Sequence, residues 1–299
     1  MPLPSPLRIG PAGWSYPHWN GVVYPKGRRV NALEYLSQFF DTVEINTSFY
    51  QDLKPEVTKL WMKQVAGNPR FLFTAKLHQR FTHDRELNRH DIARFKEGLR
   101  PLLEEKRFGA LLMQFPWSFR FTDENKAFFV ALRRAFHEFP LVAEMRHASW
   151  SYDEALGVFI DYRVGFCNID QPEYTSAMPP TAHIATRTCY VRLHGRHPAN
   201  ALGQWKPGTP RGIQHNYLYS AQELEEWGPR IERLNSFGTN VFVITNNDAG
   251  GKSVVNALQL AEMFGDERRR APGELVRLYP EALSRFRQEK IWQQSLFAA

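Results

Sequence analysis

Glu44 and Asn46, Glu144 and Arg146, and Arg192 and His194 are three pairs of chemically capable residues, each spaced two apart. That spacing puts both members of a pair on one face of a strand. Each pair closes a short β-branched or aromatic run, and Lys76, Gln114, Asp170, Asn246 and Asn247 close others. Burying an ionised group is costly unless it is paired and hydrogen-bonded, so folding alone does not call for charges there. A ligand site is one reading, and a structural Glu–Arg network closing the mouth of the fold is the other. In the first, Glu144 or Glu44 is the base, His194 or His83 the acid, and Arg146, Arg192 and Lys76 clamp an anion. The two readings predict different behaviour for Glu144→Gln. A charge kept for a ligand leaves stability unchanged or raised, whereas a broken buried bridge costs ~3–5 kcal/mol.

Other residue types extend the choice. Trp14, Tyr16, Trp19, Phe49, Tyr50, Phe115, Trp117 and Trp150 could stack sugar rings or bases, or could pack beneath loops. With Arg80, Arg85, Arg89, Lys206 and Arg211 they keep nucleic acid open as a partner, beside a small polar or phosphorylated ligand. The net charge of +7 suits either. The string Asp248-Ala249-Gly250-Gly251-Lys252-Ser253 could offer backbone N–H groups from Gly250 and Gly251 to an anion at a helix start, or be a plain glycine turn. It is not a P-loop, because Asn246 stands where the first glycine belongs. Arg146 and Arg192 among the carboxylates repel a divalent ion, so no metal is expected, and no cofactor is implied. Cys167 and Cys189 lie inside apolar runs and read as core thiols.

The elements that carry these residues alternate. Strands are predicted at 8–12, 42–46, 71–76, 110–115, 141–146, 164–170, 189–194 and 240–246, starting about 33 residues apart. Helical periodicity fills gaps at 32–40, 125–139 and 220–237, the last opening on a Ser220/Glu223 capping box. Eight such units predict an α/β fold, a (β/α)8 TIM barrel over residues 1–264. A C-terminal helical extension, 265–299, is expected to pack on its outside, with Leu283, Phe286 and Ile291 to one side. The stretch 196–219 is long for a connection and reads as a functional loop or disorder. No apolar run reaches membrane length or forms a signal peptide, and two cysteines make no disulfide framework, so a cytoplasmic protein is expected.

Several strings together resemble the YecE-like family, domain of unknown function 72, over residues 8–264. They are Gly13-Trp14-Ser15-Tyr16, Val43-Glu44-Ile45-Asn46-Thr47-Ser48-Phe49-Tyr50, Leu112-Met113-Gln114-Phe115-Pro116, Glu144-Met145-Arg146-His147-Ala148-Ser149-Trp150, Tyr190-Val191-Arg192-Leu193-His194-Gly195 and Asn246-Asn247. The resemblance implies a TIM barrel, with a looser likeness to endonuclease IV-type and sugar-isomerase barrels, and brings no established reaction. Pro11-Ala12 departs from the small hydroxyl residues usual in that family, and the tail after Gly265 is additional.

Overall fold

The computed structural model describes residues 6–197 and 216–288. Eight strands form the main sheet: β1 (Leu7–Pro11), β2 (Thr42–Ile45), β3 (Leu72–Lys76), β4 (Phe108–Gln114), β5 (Leu141–Glu144), β6 (Gly165–Asp170), β7 (Thr188–Leu193) and β8 (Asn240–Thr245), while β9 (Arg270–Ala271) and β10 (Arg287–Gln288) pair with each other apart from it. Between and after them run α1 (Ala32–Leu36), α2 (Pro55–Gln64), α3 (Gln79–Thr82), α4 (Arg89–Glu104), α5 (Asp123–Ala135), α6 (Asp153–Asp161), α7 (Ala221–Glu225), α8 (Gly228–Phe237), α9 (Lys252–Met263) and α10 (Gly273–Leu278). The sheet order is β1-β8-β7-β6-β5-β4-β3-β2, with every pairing parallel.

The ring comes together between β1 and β2, where Ala12 bridges Glu44 and the Gly13 N–H donates to the Glu44 carbonyl at 2.8 Å. Gly10 permits that approach, since a Cβ there would stand 2.0 Å from the Thr42 carbonyl oxygen. The architecture is the expected (β/α)8 barrel. Inside it Tyr190 and Phe242 lie with ring centroids 5.9 Å apart. One strand step above Tyr190, Arg192 reaches across the barrel to β2 and β5.

Local chemistry shifts several boundaries. α5 starts two residues before the predicted 125, because Thr122 Oγ1 accepts from the Asn125 N–H at 3.3 Å and Asp123 and Glu124 favour the first turn. The single helix predicted at 220–237 is two. Its Ser220/Glu223 capping box forms, but Gly228-Pro229 restarts the chain as α8, with Pro229 in the first turn where its missing N–H costs nothing. No helix carries Leu283 and Phe286. α10 stops at Leu278 because Pro280 disfavours helical geometry at Tyr279, and turns then bury Leu283 and Phe286. Ile291, and most of the loop predicted at 196–219, lie outside the described residues. Cys167 and Cys189 are free and buried, and burial pushes the Cys189 thiol up to about 11. No described helix is long and apolar enough to cross a membrane.

Candidate functional site at the barrel mouth

The strand exits converge on one buried charge cluster. Arg192 Nη1 donates to Glu144 Oε2 at 2.6 Å and Nη2 to Glu44 Oε1 at 2.8 Å. Arg192 is 1% exposed and both carboxylates 0%. The other Glu44 oxygen accepts from the Tyr190 hydroxyl at 2.9 Å, and that hydroxyl meets Thr74 Oγ1 at 2.7 Å. Gln114 Oε1 accepts a longer bond, 3.3 Å, from Arg192 Nη1.

A second level sits outward of this one. Arg146 Nε lies 2.6 Å and His194 Nε2 3.3 Å from Glu144 Oε1. His194 Nδ1 accepts from Asn246 Nδ2 at 3.0 Å and faces Arg146 Nη2 at 3.4 Å, which assigns the proton to Nε2. Arg146 is half-buried and is tied through Nη1 to Gln171 Oε1 at 3.1 Å. Lys76 ends β3 with Nζ 3.9 Å from the centre of the Phe49 ring, and Asn46 donates to the Tyr16 hydroxyl at 3.0 Å.

Four buried polar atoms of this cluster have no hydrogen-bond partner among the described residues: Asn46 Oδ1, Glu144 Oε1, Arg192 Nε and His194 Nε2. Glu144 Oε1 has the Arg146 guanidinium and the neutral His194 imidazole close by, but off the line a hydrogen bond needs. Most buried polar groups are paired, so four orphans at one strand-end cluster call for an explanation.

The electrostatics are asymmetric. Burial pushes the Glu144 carboxyl up, but Arg146 and Arg192 together outweigh it and hold the group well below the usual range. Burial opposes the charge on Arg192, and Glu44 with Glu144 reverses that, raising its pKa. His194 is pushed well below 6.5, first by burial and then by Arg146. Lys76 falls from 10.5 to about 7, through burial and then Arg192. Glu144 is therefore a weak proton acceptor, better suited to holding its two arginines than to the base role open to it from sequence.

The His194 shift has a measurable consequence. The folded state keeps it neutral while the unfolded chain binds a proton below ~6.5, so its stabilising contribution is present above ~6.5 and drains away as pH falls. Denaturation of His194→Gln at pH 5 and 6.5 should show a shallower loss than the parent, by up to ~1.4 kcal/mol per pH unit. Equal slopes would mean that His194 charges normally in the fold.

Several residues proposed from sequence stand elsewhere. Asp170 accepts from Arg196 Nη2 at 2.7 Å, Trp227 Nε1 at 2.6 Å and the Tyr219 hydroxyl at 3.0 Å, so both its oxygens are engaged. Asn247 donates to Tyr217 O and Asn256 Oδ1. Trp150 is buried, stacked 5.4 Å from Phe119, and Trp14 packs edge-on to Trp61 at 4.9 Å. Gly251 has φ +75°, and a Cβ there would meet Val23 at 2.8 Å and Leu275 at 3.0 Å. Gly250 has φ +63°, and a Cβ there would stand 3.0 Å from the Tyr279 hydroxyl, so backbone geometry and packing account for both glycines. Tyr50 is exposed against the edge of Phe49, and His83 lies 5.2 Å from that ring on its way to solvent.

Tyr190, Thr74 and Gln171 were not singled out from sequence. Tyr190 and Thr74 precede Arg192 and Lys76 by two residues, so the same-face rule applied one step further down each strand would have found them. Gln171 carries no such signal. Among the described residues no group of three or more His, Cys, Asp or Glu side chains is placed to hold a metal ion.

The model of a family described as "Protein of unknown function DUF72" matches residues 8–279. The chain belongs to the DUF72 family. The match takes in α10, past Gly265 where the sequence resemblance ended. The UPF0759 protein YunF of Bacillus subtilis is 28% identical over 276 residues, covering 87% of this DUF72 chain and 95% of YunF. The UPF0759 protein YecE of Escherichia coli is 30% identical over 115 residues, 38% of this chain and 39% of YecE. A DUF72 crystal structure from Thermotoga maritima superposes with TM-score 0.76 at 26% identity, covering 87% of this chain and 99% of that one.

Proposed function

We propose that this DUF72 barrel is an enzyme acting on a small polar anion, phosphorylated or sugar-like, at the C-terminal mouth. The observation that carries the reading is the pair His194 Nε2 and Glu144 Oε1, 3.3 Å apart, neither in a well-aligned hydrogen bond, beside Arg146, whose Nε lies 2.6 Å from the same carboxylate oxygen. A neutral imidazole N–H and a carboxylate oxygen side by side offer one donor and one acceptor, the pattern a hydroxyl group matches. Arg146, the less buried arginine of the cluster, would take the anionic group, and a guanidinium suits phosphate or carboxylate. Positions at the C-terminal ends of barrel strands are also where this fold carries its chemistry. The reaction class is acid–base, with the neutral His194 donating a hydrogen bond, not a proton, from Nε2 to a substrate oxygen and Glu144 holding Arg146 and Arg192 in place. The buried free thiols suit a reducing compartment, and the cytoplasm is the proposed location.

Nucleic acid is not favoured. Arg80 is paired with Asp52 and Asp91, and Arg85 with Glu124 and Asn125, so these cations are already engaged. Lys206 and Arg211 lie outside the described residues. Asp170, Trp150 and the Gly250–Gly251 turn are likewise committed to packing and internal bonds, which narrows the proposed site to Glu44, Asn46, Lys76, Gln114, Glu144, Arg146, Arg192, His194 and Asn246.

A thermal-shift screen of sugar phosphates, neutral sugars and oligonucleotides tests the reading. A sugar phosphate at 100 times its Kd should stabilise the fold by about 2.7 kcal/mol. The neutral sugars should do much less, and oligonucleotides should give no gel shift at ~50 mM salt, where phosphate contacts are strongest. A screen in which no anion stabilises the protein would overturn it.

A further inference from the structure

Lys76 is the cation of the mouth that is not tied to a carboxylate. No acidic oxygen among the described residues lies within ion-pair distance of its Nζ, whereas Arg146 and Arg192 each hold Glu144. Its neighbour is the face of Phe49, 3.9 Å from Nζ to ring centre, in a residue only 8% exposed. Ser48 fixes the backbone, because its hydroxyl lies 2.7 Å from the Lys76 carbonyl and 3.0 Å from that of Ile45. His83 packs edge-on against the same ring, centroids 5.2 Å apart. A lysine desolvated on an apolar wall, near other cations, is the arrangement that activates an amine as a nucleophile.

We propose that Lys76 is a nucleophile that captures the carbonyl carbon of a small anionic aldehyde or ketone as an imine. The inference rests on the anion reading, since Arg146 is what would hold the carboxylate or phosphate of that molecule. The neutral amine's lone pair forms a C–N bond while the carbonyl π electrons move to oxygen, which takes up a proton. The resulting carbinolamine loses its hydroxyl as water, the nitrogen gives up its second proton, and a C=N bond replaces C=O. The balance is one carbonyl and one amine to one imine and one water, with no oxidant or reductant. The amine itself is available at neutral pH, because burial and Arg192 bring Lys76 to about 7.

The test uses the full chain at pH 7 with three probes: dihydroxyacetone phosphate, pyruvate, and acetone as an uncharged control. Each mixture is reduced with sodium borohydride, and the product is read by intact mass and peptide mapping. The expected result is one adduct per chain at Lys76, forming on the order of tenfold faster than at any other lysine. Acetone should give less than either anion. The two anionic probes distinguish a phosphorylated ketone from a 2-oxo acid. Labelling should be half-maximal near pH 7 and absent at that position in Lys76→Arg, whose fold is checked by its melting curve. Mapping on the unmutated protein keeps the test independent of that variant. Adducts spread evenly over the lysines would overturn the proposal. So would no adduct at Lys76 while anion binding through Arg146 persists, which leaves the anion reading standing. Loss of both adduct and anion binding would remove the two together.

Discussion

Arg192→Met is expected to lower folding stability by about 3–5 kcal/mol, among the largest effects a single substitution could have here. The guanidinium is 1% exposed and bridges Glu44 and Glu144, each 0% exposed. Methionine fills much of the same volume and removes the charge that bridges the two carboxylates. Both would then be buried with less compensation, Glu44 keeping Tyr190 and Glu144 keeping Arg146. Chemical denaturation measures the loss. Adding Glu44→Gln to Arg192→Met should restore a substantial part, because an uncompensated buried charge is what makes the single variant costly. If Arg192→Met melts like the parent, the bridge is not holding the barrel mouth.

Glu144→Gln should cost about 3 kcal/mol, the lower end of what breaking a buried pair costs. Arg192 keeps Glu44, while Arg146 loses its carboxylate and retains Gln171 and His194. The double variant Glu144→Gln/Arg146→Gln should recover part of this, since it removes the surplus positive charge together with its lost partner. This differs from the outcome expected of a pair kept only for a ligand, and the reason is the burial of Glu144 between two arginines. The same residues can hold the fold and shape the ligand site. Arg192 and Glu144 carry the structural share, and Arg146 and His194 face outward. A Glu144→Gln variant as stable as the parent would contradict that division.

Much of this site could be read from residue order alone, for a physical reason. A strand aims residues two apart at one face, so Glu144 with Arg146 and Arg192 with His194 announced a shared destination. What spacing cannot supply is the partner across the barrel. Arg192 meets Glu44 148 residues away, and that distance in sequence is closed only by the ring of strands. Asp170 looked like its neighbours at the strand ends, yet Tyr219 and Trp227, 49 and 57 residues on, claim its oxygens. Trp150 and Gly251 are likewise packed, since a large aromatic and a flexible glycine serve packing as readily as ligands. The strands were legible for their β-branched runs, whereas the break at Gly228-Pro229 gave way to a continuous apolar period in the prediction.

A second cationic place among the described residues could also draw an anion. Away from the strand-end cluster, where β1 begins, a cavity of about 700 Å³ is lined by Arg8, Arg70, Arg268 and Arg270 around Asp41. Asp41 already takes Arg70 at 2.9 Å and Arg268 at 3.1 Å, which neutralises part of that charge. The most direct measurement is calorimetric titration of the sugar phosphate found by screening into the parent, Arg146→Gln and Arg268→Gln. The expected result is binding to the parent and Arg268→Gln with similar Kd, and at least about tenfold weaker binding to Arg146→Gln, the ~1.4 kcal/mol or more of a lost charge-assisted bond. Binding lost in Arg268→Gln and kept in Arg146→Gln would contradict a ligand site at the barrel mouth.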